Sequence, residues 1–255
     1  MNKLAEKPGL SDDELLRYSR QIMLPQIEIA GQLLLLRSHV ILFGAGGLGS
    51  PIAMYLAASG VGKITLVDPD EVDLSNLQRQ IIHRTESIGH AKAISAKKTL
   101  AELNPLISVR VINSVLTEME LEKEIRNADV VVDATDNFEA RFAINAACVK
   151  EKTPLVVGAV IRFEGQVMVF TMQDDSACYQ CLYPNQEELE ESCSQTGVLG
   201  SVAGLVGCLQ ATEVIKLLVN IGEILSNKLM LIDALNLEWH TLKINQDPKC
   251  AVCAK

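Results

Sequence analysis

Residues 38–68 read SHVILFGAGGLGSPIAMYLAASGVGKITLVD, and the order of signals within them decides the fold. Ser38 to Phe43 is a short apolar run of the length of a buried strand. It leads into Gly44-Ala45-Gly46-Gly47-Leu48-Gly49. Pro51 to Ala58 then reads as a helix, and Lys63 to Val67 as a second strand ending in Asp68. A strand, a glycine turn, a helix, a strand and an acid about two dozen residues after the turn make the first half of a dinucleotide-type α/β unit. Helix N-terminal amides at such a turn hold phosphate, and the acid holds ribose hydroxyls. A glycine turn can also serve only to pack helix on strand, but the full context here favours a ligand.

Outward from this unit the pattern continues. On the N-terminal side, Ser11-Asp12-Asp13-Glu14 is a capping box opening a helix to about Gln21, and Gln26 to Leu36 reads as another. On the C-terminal side, Ala91 to Leu103 is a helix that stops before Asn104-Pro105. Ser108 to Ile112 and Val130 to Val132 read as strands, with an acidic helix from Thr117 to Arg126 between them. Phe138 to Val149 is a helix and Pro154 to Val157 a strand. Beyond Gly158 the strands Gln166 to Thr171, Leu229 to Ile232 and Trp239 to Ile244 lack regular helices between them. They predict an antiparallel extension of the sheet. The expected organisation is a single domain over 1–255. Within it, 1–37 holds N-terminal helices, 38–158 the nucleotide-binding half, and 159–255 the antiparallel extension with a polar crossover loop.

The segment after Asp68 argues against a simple dinucleotide. Asp70, Asn76, Arg79 and Lys92 follow within two elements. A triphosphate carries more charge than a pyrophosphate and needs cations, which Arg79 and Lys92 supply. Asp136 follows a buried strand end, where a carboxylate suits a Mg2+ that bridges phosphates. Its competing role is to cap the helix that starts at Phe138, a duty Asp133 and Asn137 also fit. No convincing acid/base for nicotinamide chemistry is found: His83 and His90 flank the phosphate segment instead. That weakens the alternative reading, an NAD-type oxidoreductase.

Cys178-Tyr179-Gln180-Cys181 and Cys250-Ala251-Val252-Cys253 are two C-x-x-C knuckles. Four thiolates make a closed tetrahedral Zn2+ site, which holds structure and leaves no position for substrate. Of the seven cysteines, Cys148 and Cys208 are expected in the core, and Cys193 in the polar loop from Pro184 to Ser194. The odd count, the metal spacing and the absence of a signal-like N-terminus lead us to expect a reduced, cytoplasmic protein. The formal charge of -9 argues against a nucleic-acid partner. Ser201 to Ile221 is apolar but carries Gln210, Glu213 and Lys216, so it predicts a buried helix and no membrane span.

Taken together, these motifs resemble the MoeB/ThiF/HesA family, bacterial relatives of ubiquitin-activating enzymes. The matching elements are Arg17-Tyr18-Ser19-Arg20-Gln21, the GAGGLG turn, Leu74 to Gln80, Asp133 to Asn137 and both cysteine knuckles. The resemblance implies an ATP-dependent adenylyltransferase for the Gly-Gly carboxylate of a ubiquitin-like sulfur carrier of MoaD or ThiS type, in molybdopterin or thiamine synthesis. It further implies that Gly44, Gly46, Gly47, Gly49, Asp68, Asp70, Asn76, Arg79, Lys92 and Asp136 bind ATP and Mg2+. Arg20 matches an arginine that reaches the neighbouring subunit's site, which implies a homodimer. Cys193 matches a cysteine that bonds the activated carrier in some relatives. The chain ends soon after Cys253 without a rhodanese-like domain, so sulfur is expected from a separate donor, a cysteine desulfurase or a rhodanese.

Overall fold

The computed structural model describes residues 9–174, 176–184 and 197–254. Its strands are β1 (His39–Phe43), β2 (Lys63–Val67), β3 (Ser108–Ile112), β4 (Val130–Asp133), β5 (Leu155–Ile161), β6 (Glu164–Phe170), β7 (Lys228–Asp233) and β8 (Glu238–Lys243). They form one sheet in the order β3-β2-β1-β4-β5-β6-β7-β8. The pairings from β3 to β5 are parallel, and those from β5 to β8 are antiparallel. The expected antiparallel extension is therefore present. The boundary placed after Gly158, however, falls inside β5, which pairs parallel on one side and antiparallel on the other.

The helices are α1 (Asp12–Arg17), α2 (Ser19–Ile22), α3 (Glu28–Arg37), α4 (Gly49–Ala58), α5 (Lys92–Leu103), α6 (Glu118–Arg126), α7 (Phe138–Glu151), α8 (Tyr179–Leu182) and α9 (Gly200–Val219). β1 shows why they cover both faces. All five of its residues are buried. Side chains alternate along a strand, so an all-apolar strand needs partners on each side. Val40 and Leu42 pack with Leu35, Ile52, Leu56, Leu100 and Val206. Ile41 and Phe43 pack with Leu121, Ile125, Phe142 and Cys148. Each such side chain contributes roughly 1.5–3 kcal/mol on burial.

Two expectations are corrected. The first helix does not run unbroken to Gln21: it breaks at Tyr18, whose φ is -97° and ψ 8°. Tyr18 is buried, and its hydroxyl accepts a hydrogen bond from Asn104 Nδ2 at 2.9 Å, a contact far along the chain that local pattern cannot supply. Cys208 is only half-buried and lines a surface cleft with Gln21, Tyr55 and Ser59, unlike Cys148, which is in the core. By length and composition α9 could cross a bilayer. It packs instead on α4, β5 and β6, with Gln210 and Glu213 buried.

Candidate functional site

The sheet order reverses between β1 and β4, since β2 and β3 continue to one side and β5 to the other. Open α/β sheets take their ligands at such a switch point, outside the C-terminal strand ends. The turns leaving β1 and β4 touch there. A Cβ on Gly44, whose φ is +92°, would come 2.7 Å from the Ala134 carbonyl oxygen. A Cβ on Gly49 would come 1.9 Å from the Gly44 oxygen. Backbone cannot yield, so both positions require glycine. Gly46 would meet only the Gln80 amide, at 3.5 Å. The fold leaves room for a side chain there; a phosphate approaching the backbone would not. α4 starts at Gly49 without a side-chain cap; the Ser50 and Ile52 N–H groups bond the Gly46 and Leu48 carbonyls and Pro51 has none, so what its first turn offers is the positive end of the helix dipole.

The acid after β2 closes on this turn. Asp68 is buried; its Oδ2 accepts the Ala45 N–H at 2.7 Å and its Oδ1 the Asp70 N–H at 2.9 Å. Burial raises its pKa, while those two amides and Lys92 oppose the rise. Lys92 opens α5 and is itself buried, with Nζ 2.8 Å from Asp70 Oδ2. An ammonium has three donors, and Asp70 engages one. Asn76 and Arg79 lie on and just after a 3-10 turn over Leu74–Asn76, capped by Asp73. Arg79 Nη1 donates to the Ser75 carbonyl at 3.1 Å, and its Cγ would lie 3.4 Å from a Cβ on Gly47. The sheet thus gathers the glycine turn, Asp68, Asp70, Arg79 and Lys92 at one end.

The capping question at β4 is settled by hydrogen bonds. Asn137 Oδ1 accepts the Ala140 N–H at 2.8 Å and caps α7, while Asp133 Oδ1 accepts from the Thr135 N–H and hydroxyl. Asp136 does neither; it is exposed at the rim of a cleft of about 200 Å³ whose other walls include Gln166, Tyr183 and Leu231. Arg20 is not brought to this end by its own chain. Its neighbour Gln21 donates to the Ser59 carbonyl, beyond the far end of α4. That end lies about 15 Å along the helix from Gly49. Cys193 lies outside the described residues.

The four cysteines of the two knuckles converge, with all four sulfurs within 4.8 Å of one another. The Sγ separations are 3.9 Å for Cys178–Cys181, 3.6 Å for Cys178–Cys250 and 3.3 Å for Cys181–Cys253. A tetrahedral zinc with 2.3 Å bonds sets sulfurs about 3.8 Å apart, so the donor set fits that ion. Backbone amides of Cys178 and Asp247 point at Cys181 Sγ, at 3.5 and 3.4 Å, as they would toward a thiolate. Burial pushes the Cys178 thiol up to about 11, and the Asn145 amide pulls hardest the other way.

Two residues near these sites escape a reading of sequence. Arg141 is buried and donates through Nη2 to the Thr135 carbonyl at 2.7 Å and to Gly158 at 3.3 Å. Asn145, fully buried, accepts the Tyr179 N–H at 2.9 Å and ties α7 to the first knuckle. Their one signal is polar residues four apart within the apolar middle of α7, hence on one face.

With the geometry in place, comparison with known proteins is specific. The ThiF family model matches residues 18–252. Molybdopterin-synthase adenylyltransferase of Escherichia coli K12 is 43% identical over 246 residues, covering 96% of this chain and 99% of that protein. Sulfur carrier protein ThiS adenylyltransferase of the same strain is 44% identical over 244 residues, covering 96% and 97%. The crystal structure of E. coli MccB with ATP matches at a TM-score of 0.82 and 25% identity, over 93% of this chain and 74% of that one. A match of this extent, with the glycine turn, the basic segment and the cysteine cluster all in place, makes the chain a member of the ThiF family.

Proposed function

We propose that this protein is an ATP-dependent adenylyltransferase acting on the C-terminal Gly-Gly carboxylate of a ubiquitin-like sulfur carrier. The observation that carries the reading is near-full-length identity above 40% to two adenylyltransferases, one named for molybdopterin synthase and one for the sulfur carrier ThiS. The crevice supports it. Carboxylate and triphosphate repel, and the chemistry asks the protein to hold both anions in line and to offset their charge. The carrier carboxylate oxygen attacks the α-phosphorus, the bond from that phosphorus to the bridging oxygen breaks, and pyrophosphate leaves. No general base is needed, because the nucleophile is already ionised.

In this reading the glycine turn holds phosphate oxygens at the positive end of the α4 dipole, and Asp68 orients the ribose. Asn76, Arg79 and Lys92 contact phosphates, with Asp70 holding Lys92 in place. Asp136 holds Mg2+, which would screen the phosphate charge. Its exposure and its freedom from capping duty support that role. Arg20 acts on the partner subunit's site in a homodimer, which agrees with its distance from its own crevice. Zn2+ in the four-cysteine cluster is structural. The protein works in the cytoplasm, and sulfur comes from a separate donor.

The near-equal identities to the two named enzymes leave the carrier, MoaD-type or ThiS-type, to experiment. ATP–pyrophosphate exchange with Mg2+ and each carrier in turn is the direct test. Exchange that depends on one carrier establishes the reaction and names the pathway; no exchange with either in folded, zinc-loaded protein refutes the reading.

A further inference from the structure

The glycine turn is gripped from a side that the family reading leaves without a role. His83 is buried, 4% exposed, in the segment that carries Arg79. Its Nε2 lies 3.0 Å from the Ala45 carbonyl oxygen, and its Nδ1 lies 2.9 Å from Ser95 Oγ on α5. A carbonyl can only accept, so Nε2 carries the proton; Nδ1 then accepts the Ser95 hydroxyl. Burial lowers the His83 pKa most, the Ala45 carbonyl opposes it, and Lys92 and Arg84 add to the lowering, so the environment favours the neutral ring.

Asp68 holds the Ala45 N–H and therefore the peptide joining Gly44 to Ala45. His83 holds the Ala45 carbonyl and therefore the next peptide, which ends in the Gly46 N–H. A peptide is planar and trans, so pinning its oxygen aims its N–H the opposite way. Gly46 has no side chain to resist a flip of that peptide, and the phosphate chain of a nucleotide reads these N–H groups. We propose that His83, as its Nε2–H tautomer, is a positioning residue that fixes the Ala45–Gly46 peptide so that the Gly46 N–H faces the bound triphosphate. This rests on the adenylyltransferase reading for the identity of the ligand.

The experiment uses the full chain with zinc bound. Ring-nitrogen NMR of the labelled protein should show His83 protonated at Nε2 and bare at Nδ1; the opposite tautomer overturns the proposal. His83→Leu leaves a buried carbonyl unpaired and should weaken ATP binding by calorimetry about tenfold. Its carrier KM and zinc content should not change. His83→Gln, which keeps a donor at similar reach, should stay within about threefold of wild type. Folded H83L that binds ATP as tightly as wild type, or H83Q as weak as H83L, overturns it. Should H83L fail to fold, the tautomer and H83Q decide. Wild-type protein that binds no ATP would sink the adenylyltransferase reading and this inference with it, whereas normal wild-type binding with an unaffected H83L sinks the inference alone.

Discussion

The nucleotide crevice and the cysteine cluster are built on opposite principles. The crevice is made by backbone: two glycines that admit no side chain, a helix N-terminus without a side-chain cap, and peptide groups pinned by a buried carboxylate. The cluster is made by side chains: four sulfurs from two short turns, with pairs 72 residues apart in sequence. Backbone sites fail by shape, since one added methyl meets atoms that cannot move. Side-chain sites fail by chemistry, since the same shape without the donor atom loses the ion. The first kind is sensitive to volume at glycine, the second to identity at cysteine.

The largest effect expected on this contrast is from Gly49→Ala. With its Cβ 1.9 Å from a backbone oxygen, the turn must distort, at a cost on the order of 3 kcal/mol or more. Chemical denaturation that finds this variant as stable as wild type would break the account of the crevice. Asp136→Asn removes a charge but little volume. Pyrophosphate exchange should fall about 10²–10³-fold. The melting temperature should stay within about 2 °C, because Asn137 does the capping. Retained exchange removes Asp136 from the metal role. Cys181→Ser keeps the volume and loses a soft ligand. Zinc affinity should fall beyond the roughly 10–100-fold typical of losing a ligand's outer partner. ATP affinity should change little, as for sites without shared partners. Zinc retained under chelator, read by metal analysis, would rule out the four-cysteine set.

The smallest effect concerns two buried histidines, His83 at the crevice and His39 at the other end of β1. His39 and His83 both have pKa values lowered from the ordinary 6.5, chiefly by burial. Below that value the unfolded chain takes up protons that the folded chain resists. Stability should therefore fall as pH drops from 6.5 toward the folded values, and recover above it. The melting temperature from pH 7.5 to 5.5 should decline by a few degrees, roughly the scale of 1 kcal/mol. Ring NMR that finds both imidazoles titrating at the ordinary 6.5 would mean these rings are not held neutral.

Much of this was legible along the chain, for reasons that differ by element. β2 and β3 span the residues their alternation and apolar runs predict, because strand period and turn residues are local signals. The antiparallel extension was legible where β5 runs into β6 and β7 into β8 without a helix, but the expectation that no regular helix separates its strands is not met, since α8 and α9 lie between β6 and β7. The capping box at Ser11 was also legible, since its donor and acceptor sit three residues apart. The break at Tyr18 was not, because it depends on Asn104, and neither was the half-exposure of Cys208, which depends on how α9 lies against α4.

By itself the sequence determined the glycine turn, the acid that follows it, the cations and the two cysteine pairs, because each is a matter of residue type at fixed spacing. Only tertiary structure decided which of these meet. The reversal of strand order between β1 and β4 sets the Ala134 turn against Gly44, and strand register carries Asp68 to Ala45. Packing buried Arg141 and Asn145 on one face of α7 and closed His83 on the glycine turn. Contacts of this kind join residues tens of positions apart, and no local period or propensity encodes them. They follow from burying both faces of one sheet while every interior polar atom seeks a partner.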